Sequence, residues 1–346
     1  NMIPIKGYST FDPLKHCMIG ATYGRETFRE IKNPKIRGPL QRIADETEED
    51  YQKLESILKE HGVKTYRPNV SLRSEDNPDG NQLTSRPPVS PRDHFAVIGE
   101  TIYGTDGERD FYKDLFKQIP KENQFIKDWA FPGGTLMTTA QLCRVGKDLF
   151  WDLVTMPDPE TNPHVLLLKE KFESEGFRLH ISNRGWHGDG GFCVVKPGAI
   201  VSIFDMQDYQ ENFPGYEVCY TENHWTQLEG FTDGWYDFRG KVDDQWWVRG
   251  EEQNDEFIHH VNTWLTDWVG YVEETIFDVN MLSINQDLII CNNYNKDVFE
   301  FFKKHKVEPI VFNFRHRYFW DGGIHCITQD FYREGELTEY ITYNTK

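Results

Sequence analysis

One local pattern recurs along this chain: an apolar strand-like run, a tight polar or glycine turn, then a second apolar run. It appears as FAVIGETIYG at 95–104, LCRVGKDLFW at 142–151, FCVVKPGAIVSIF at 192–204 and MLSINQDLIIC at 281–291. Two such runs joined by turn residues read as a β-hairpin. Successive units lie about 45 to 50 residues apart, except across the interval between the third and the fourth, and a fixed period of this size marks one unit used repeatedly. A fifth unit is completed by joining the run 326–332 to the N-terminal run 16–20, which places the two ends of the chain in one sheet.

Helical patterns fill several of the gaps. In 46–61, Tyr51, Leu54, Ile57 and Leu58 share one face, and Gly62 follows as a stop signal. In 296–305 the basic residues fall in the last turn, where the helix dipole favours them. Each helix precedes a short apolar strand, 63–66 or 307–312. The expected unit is hairpin, helix, strand, and the fold class is α/β. An ordinary α/β sheet also alternates in this way. A ring of five units is the preferred reading, because two polar clusters occupy equivalent hairpin ends and converge only if the units surround an axis.

The first cluster is Asp321-Gly322-Gly323-Ile324-His325-Cys326. The glycine pair allows backbone conformations that a side chain forbids, so a thiol behind it can be held exposed at the rim of a pocket, and polar residues flank Cys326, which makes this thiol the candidate nucleophile. The other five cysteines, Cys17, Cys143, Cys193, Cys219 and Cys291, sit mostly in apolar, strand-like surroundings and read as small buried hydrophobes. The second cluster, Trp186 to Phe192, sets His187 and Asp189 two positions apart directly before an apolar strand. Together the clusters supply a thiol, a proton-transfer base and an anion suited to a cationic substrate. Read locally, Asp189 also serves as a turn carboxylate, His187 as an exposed loop histidine, and Arg92 with Asp93 as a surface ion pair. His325 reads as a support for its loop rather than a second base.

A formal net charge of -18 and a pI near 5.1 argue against nucleic acid or an anionic membrane as partner and suit cationic small molecules. No run reaches the roughly 18 to 20 apolar residues that cross a bilayer, and no export signal opens the chain. The cysteines form no C-x-x-C pair and no zinc-spaced group, so a reducing, cytoplasmic setting is expected, with no metal or organic cofactor. The expected organisation is one catalytic domain over 1–346, with an acidic, aromatic insertion at about 207–277. The end of that insertion, 255–274, has Phe257, Val261, Trp264, Leu265, Trp268 and Val272 at helical spacing, a face that docks on the body. The stretch before it reads as core or as a lid over a pocket.

Five blocks, in order, carry a family likeness over nearly the whole chain: Leu14 to Gly20, Pro91-Arg92-Asp93, Arg144 to Phe150, His187 with Asp189, and Gly322-Gly323-Ile324-His325-Cys326. In these the chain resembles the amidinotransferases, the arginine:glycine type in particular, within the wider group of guanidino-modifying enzymes. The resemblance implies a five-fold pseudosymmetric α/β-propeller (pentein) of ββαβ modules. It implies Cys326 as nucleophile, His187 as catalytic histidine, and Asp93 and Asp189 as carboxylates around the guanidinium. The implied partners are a small-molecule guanidino donor and an amine acceptor, and a homodimer is an arrangement the resemblance allows.

Two departures from the family pattern stand out. Where the family has an Asp supporting the histidine, this chain has Thr138, which accepts a hydrogen bond but carries no charge. Where arginine-using members have an Arg for the substrate carboxylate, the matching residue is Met206, so another cation such as Arg315 or Arg317 takes that task or the donor is not ordinary arginine. The leading expectation is transfer of an amidino group to a primary amine through an amidino-cysteine. The alternatives are a guanidino-group hydrolase and a catalytically weakened relative that only binds guanidino or amine ligands.

Overall fold

The computed structural model describes residues 1–71, 85–105, 109–127, 140–153, 158–182, 188–221, 246, 248–270 and 277–344. Among them, five three-stranded sheets follow one plan. The first joins β1 (Leu14–Ile19) to β2 (Lys64–Tyr66) and to the last strand, β15 (Thr328–Arg333). The second is β3 (Phe95–Ile98), β4 (Thr101–Thr105) and β5 (Gln124–Lys127). The third is β6 (Leu142–Val145), β7 (Asp148–Asp152) and β8 (Arg178–Ser182). The fourth is β9 (Phe192–Lys196), β10 (Ala199–Ser202) and β11 (Glu217–Tyr220), and the fifth is β12 (Leu282–Asn285), β13 (Leu288–Cys291) and β14 (Glu308–Val311).

In each sheet the middle strand pairs antiparallel with one neighbour and parallel with the other. The parallel partner always follows a helical crossover, as a parallel connection requires. The expected hairpins are therefore present, and β15 pairs with β1 from Ile19↔Thr328 to Leu14↔Arg333, so both ends of the chain share a sheet. Burial is graded across each sheet. The strands β3, β6, β9, β12 and β15 are largely buried, whereas the outer β2, β5, β8, β11 and β14 are half exposed.

The helix expected at 46–61 is longer, Pro34–Glu60. Asn33 caps it by accepting from the Lys35 amide, and Pro34 takes the first turn, where its missing N–H costs nothing. Gly38 and Pro39 interrupt the apolar pattern in the sequence, yet a side chain at 38 meets nothing and the helix runs through. The helix Lys296–Lys304 matches its expectation, with Asn295 accepting from Asp297 and Val298 amides. The helix expected over 255–274 is corrected to Asp255–Trp264. Phe257, Val261, Leu265 and Trp268 still pack into the core beside the long helix, but Trp264 faces solvent. The stretch 222–245 lies outside the described residues. No described helix is long and apolar enough to cross a membrane.

A single buried carboxylate ties several sheets together. Asp330, on β15, receives Nη1 of Arg92, Nη2 of Arg144 on β6 and, at 2.6 Å, Nε of Arg333. Arg333 also donates to the carbonyls of Asp12 and Ser283, the latter on β12, and Arg144 donates to the Val97 carbonyl on β3. The surface-pair reading of Arg92 is thereby corrected, because its guanidinium is fully buried on Asp330. Burial by itself raises the Asp330 carboxyl, but Arg144, Arg92 and Arg333 outweigh it and hold the group well below the usual carboxylate range.

Asp330→Asn leaves three buried guanidiniums without their anion, and removing one partner of a buried ion pair costs about 3–5 kcal/mol. Urea unfolding of the variant should show a loss of that order at neutral pH; a loss under ~1 kcal/mol would contradict the role given to this carboxylate.

Candidate functional site

The site is built from residues that immediately precede inner strands. Cys326 stands two positions before β15, Asp93 two before β3, Asn280 two before β12 and Asp189 three before β9. Asp189 lies in the turn Gly188–Gly190, which Asp189 N–H anchors to the Ala140 carbonyl, two positions before β6. Behind that turn, Gly191 is in contact with Met206: a β-carbon at 191 would lie 2.5 Å from the methionine Cε.

Cys326 is 8% exposed, so the expectation of a thiol exposed at a rim is corrected to a buried one. Its Sγ lies 3.1 Å from Asn280 Nδ2 and 3.4 Å from Asp189 Oδ2. Asn280 organises the loop around it: its Oδ1 accepts from the amides of His325 and Cys326, and its Nδ2 also reaches the Asp189 carbonyl at 3.0 Å. Asn292 repeats the arrangement one layer out, accepting from the Ile324 amide and donating to the carbonyls of Phe277 and Asn280. Gly322 and Gly323 are needed for space rather than for an unusual backbone angle. A β-carbon at 322 would sit 2.9 Å from Cys326 Cβ, and one at 323 would sit 2.7 Å from both Asn280 Oδ1 and Asn292 Nδ2. The left-handed residue is Asp321, at φ +55°.

Charge on this loop is one-sided. Burial raises the Cys326 thiol well above its ordinary range, and the nearby carboxylates of Asp189 and Asp93 raise it further, while the Asn280 hydrogen bond works in the other direction. His325 Nδ1 pairs with Asp189 Oδ2 at 2.8 Å. Burial, reinforced by Arg92, lowers the imidazole pKa, with Asp189 opposing, so His325 is a neutral ring that steadies Asp189, as its loop-support reading supposes. Arg92 closes the loop from the other side: its N–H faces the Cys326 carbonyl at 3.4 Å and its Nε donates to the His325 carbonyl at 3.2 Å. Beneath Asp189 and His325 lies a cavity of about 30 Å³, bordered by Cys143, Arg144, Cys193 and Met281, about the size one water requires.

Of the candidate residues, Cys326 and Asp189 meet directly, and Asp93 is within electrostatic reach of the thiol. His187 and Thr138 lie outside the described residues. The placement of Met206 as a substrate contact is corrected. It is fully buried in the core, and its side chain is the packing surface under the Asp189 turn. Arg315 is also corrected: its guanidinium is occupied by Asp50 at 2.9 Å and Glu49 at 2.8 Å, with Glu46 at 3.3 Å. It borders an open cleft of about 670 Å³ with Arg42, Arg249, Arg317 and Tyr318, and no site carboxylate or thiol lines that cleft. Arg317 packs over the rings of Phe277 and Tyr318 and bonds Asn313. Asn280 and Asn292 were not singled out by sequence, although Asn280 holds the same position before its strand as Asp93 and Cys326. No group of three or more His, Cys, Asp or Glu among the described residues is arranged to hold a metal ion.

Comparison with solved structures identifies the fold. SxtG, an amidinotransferase of the saxitoxin biosynthetic pathway from Microseira wollei, matches 98% of this chain and 100% of its own at 18% identity, with a TM-score of 0.65. The inosamine-phosphate amidinotransferase StrB1 from Streptomyces griseus matches 98% of this chain and 99% of its own at 17% identity, also with a TM-score of 0.65. The agmatine deiminase of C. jejuni matches 96% of this chain and 97% of its own at 14% identity, with a TM-score of 0.52. No family model and no curated protein sequence matches the chain. This chain has the fold shared by amidinotransferases and related guanidino-modifying enzymes.

A thiol held up by burial and two carboxylates remains protonated at neutral pH. Alkylation of Cys326 by iodoacetamide, followed by peptide mass mapping, should therefore accelerate only above the pH at which ordinary thiols respond. Asp189→Asn removes one of the opposing charges and should shift the profile to lower pH. An unshifted profile in that variant, or wild-type reactivity of an ordinary thiol, contradicts the electrostatic assignment.

Proposed function

We propose that this protein acts on guanidino carbon, with Cys326 as nucleophile, and that it transfers an amidino group from arginine or an arginine-like donor to a primary amine. The observation that carries the reading is the thiol set 3.4 Å from Asp189 Oδ2 with Asp93 also in reach, while the neighbouring Arg92 is committed to Asp330. A guanidinium is planar and permanently charged. Two carboxylates hold it by charge-assisted hydrogen bonds and leave its central carbon open to attack. Its arrival also brings positive charge beside the thiol, offsetting the carboxylates that otherwise keep the proton on sulfur.

The architecture that suits this chemistry is a five-fold pseudosymmetric ring. It is supported by five like sheets, by chain ends paired in one of them, and by the contacts among residues 140, 189, 280 and 326 at matching joints. In the proposed sequence, the Cys326 thiol gives its proton to His187, one residue before the Asp189 turn, as the guanidinium arrives; the sulfur bonds to the guanidinium carbon, and the departing amine takes that proton from His187. The amidino-cysteine is then attacked by an acceptor amine that gives its proton to His187, and the thiolate leaves. The second reading is hydrolysis, with water as acceptor, favoured by the hydrolase and deiminase members among proteins of this fold. Thr138 at the position of a supporting acid motivates a third, a weakened enzyme that binds without turnover.

Incubating the protein with arginine and a panel of primary amines separates these readings. Amidino transfer yields ornithine and a new guanidino compound, hydrolysis yields citrulline together with ammonia without an acceptor, and binding alone yields neither. Cys326→Ser should reduce turnover below detection with the fold retained, and donor alone should add one amidino mass to the Cys326 peptide of the wild type. A label on another cysteine, or normal activity in Cys326→Ser, overturns the assignment. Thr138→Asp should raise the His187 pKa and the rate of the proton-transfer step if no other acid supports that histidine, and a pH–rate profile identical to wild type contradicts that placement.

A further inference from the structure

We propose that Arg86 receives the carboxylate of the substrate held at Cys326, a task for which Met206 and Arg315 are unsuited. This rests on the guanidino reading above and assigns a second anchor to the same site. Arg86 opens the stretch that leads through Ser90 into the turn Pro91–Asp93. Its Nη2 donates to the carbonyl of Trp320, the residue before Asp321 and the thiol-bearing loop. Ser90, four positions on, is fully buried, and its hydroxyl has no hydrogen-bond partner among the described residues. A β-carbon at Gly322 would lie 3.3 Å from that hydroxyl and 3.8 Å from Cys326 Sγ. The stretch 86–91 therefore runs along the loop and past the sulfur, with Asp93 just beyond it.

Beside this loop, Arg86 carries a charge with no local anion among the described residues. The side chain is partly buried, its Nε is shielded from solvent without an acceptor, and its one bonded partner among the described residues is a neutral carbonyl. The fully buried arginines have their anion, since Arg92, Arg144 and Arg333 share Asp330, and half-buried Arg67 meets Glu48 and Glu55. In a chain of net charge -18, acidic side chains are plentiful, yet none is paired with Arg86 among the described residues. A shielded guanidinium without an anion is unfavourable, and its planar fork suits a carboxylate. Arg317, the remaining cation considered for this task, is packed between rings and bonded to Asn313.

The test compares arginine with agmatine, the same guanidine without the carboxylate, and glycine with ethanolamine as acceptors. KM is read from formation of the Cys326 adduct, and affinity from calorimetric titration in a Cys326→Ser background. Arg86→Gln should raise KM and Kd for arginine at least tenfold and leave agmatine within twofold, and Arg86→Lys should recover part of the loss. If adduct formation is unchanged but transfer to glycine falls relative to ethanolamine, the carboxylate received is the acceptor's, which also supports the assignment. Equal effects on arginine and agmatine with no acceptor difference overturn it while leaving the guanidino reading intact. A wild-type protein that binds neither donor and forms no adduct overturns that reading and this inference with it.

Discussion

Much of this structure depends on one buried anion. Asp330 sits on a strand that begins two residues after the thiol, and it draws in three guanidiniums from three places in the chain. Each arginine then makes backbone contacts that link a further element: Arg144 to β3, Arg333 to β12 and to the N-terminal segment, Arg92 to the thiol's own loop. Desolvating four charges is costly, and the arrangement is tolerated because many of their donors find acceptors. The result is directional, since planar guanidiniums bound at both ends fix the relative placement of the strands that carry them.

The site inherits that rigidity. Cys326, Asp189, Asn280 and Asp93 all lie on short joints before inner strands, so their separations are set by how the sheets meet rather than by any one loop. The joints converge with negative charge in excess, and the arginine nearest them already serves Asp330. This is a poor environment for a thiolate and a good one for a cation. In the proposed reaction chemistry and binding are coupled as a consequence, because a guanidinium donor also supplies the charge that favours the ionised thiol.

The hairpin repeat was legible because tight turns between apolar runs leave a strong local signature, and the sharing of one sheet by the chain ends followed from completing it. The need for a glycine pair before Cys326 was legible, although the reason differs: the glycines make room for Asn280, Asn292 and the thiol itself, while the left-handed turn falls to Asp321. What sequence did not reveal depends on long-range contact. Asn280 looks like any residue before a strand until the loop 45 and 46 positions later folds onto its amide. Arg92 and Asp93 look like a surface pair until the first is found on a carboxylate 238 positions away. Met206 occupies the position of a substrate contact by alignment but points into the core under Gly191.

Whether joints from separate sheets form one guanidinium seat around Cys326 is decided by a crystal structure of Cys326→Ser soaked with arginine. A guanidinium is expected between the Asp93 and Asp189 carboxylates with its carbon facing the residue 326 hydroxyl. Arginine bound elsewhere, or a guanidinium at this loop that touches neither carboxylate, would contradict that seat.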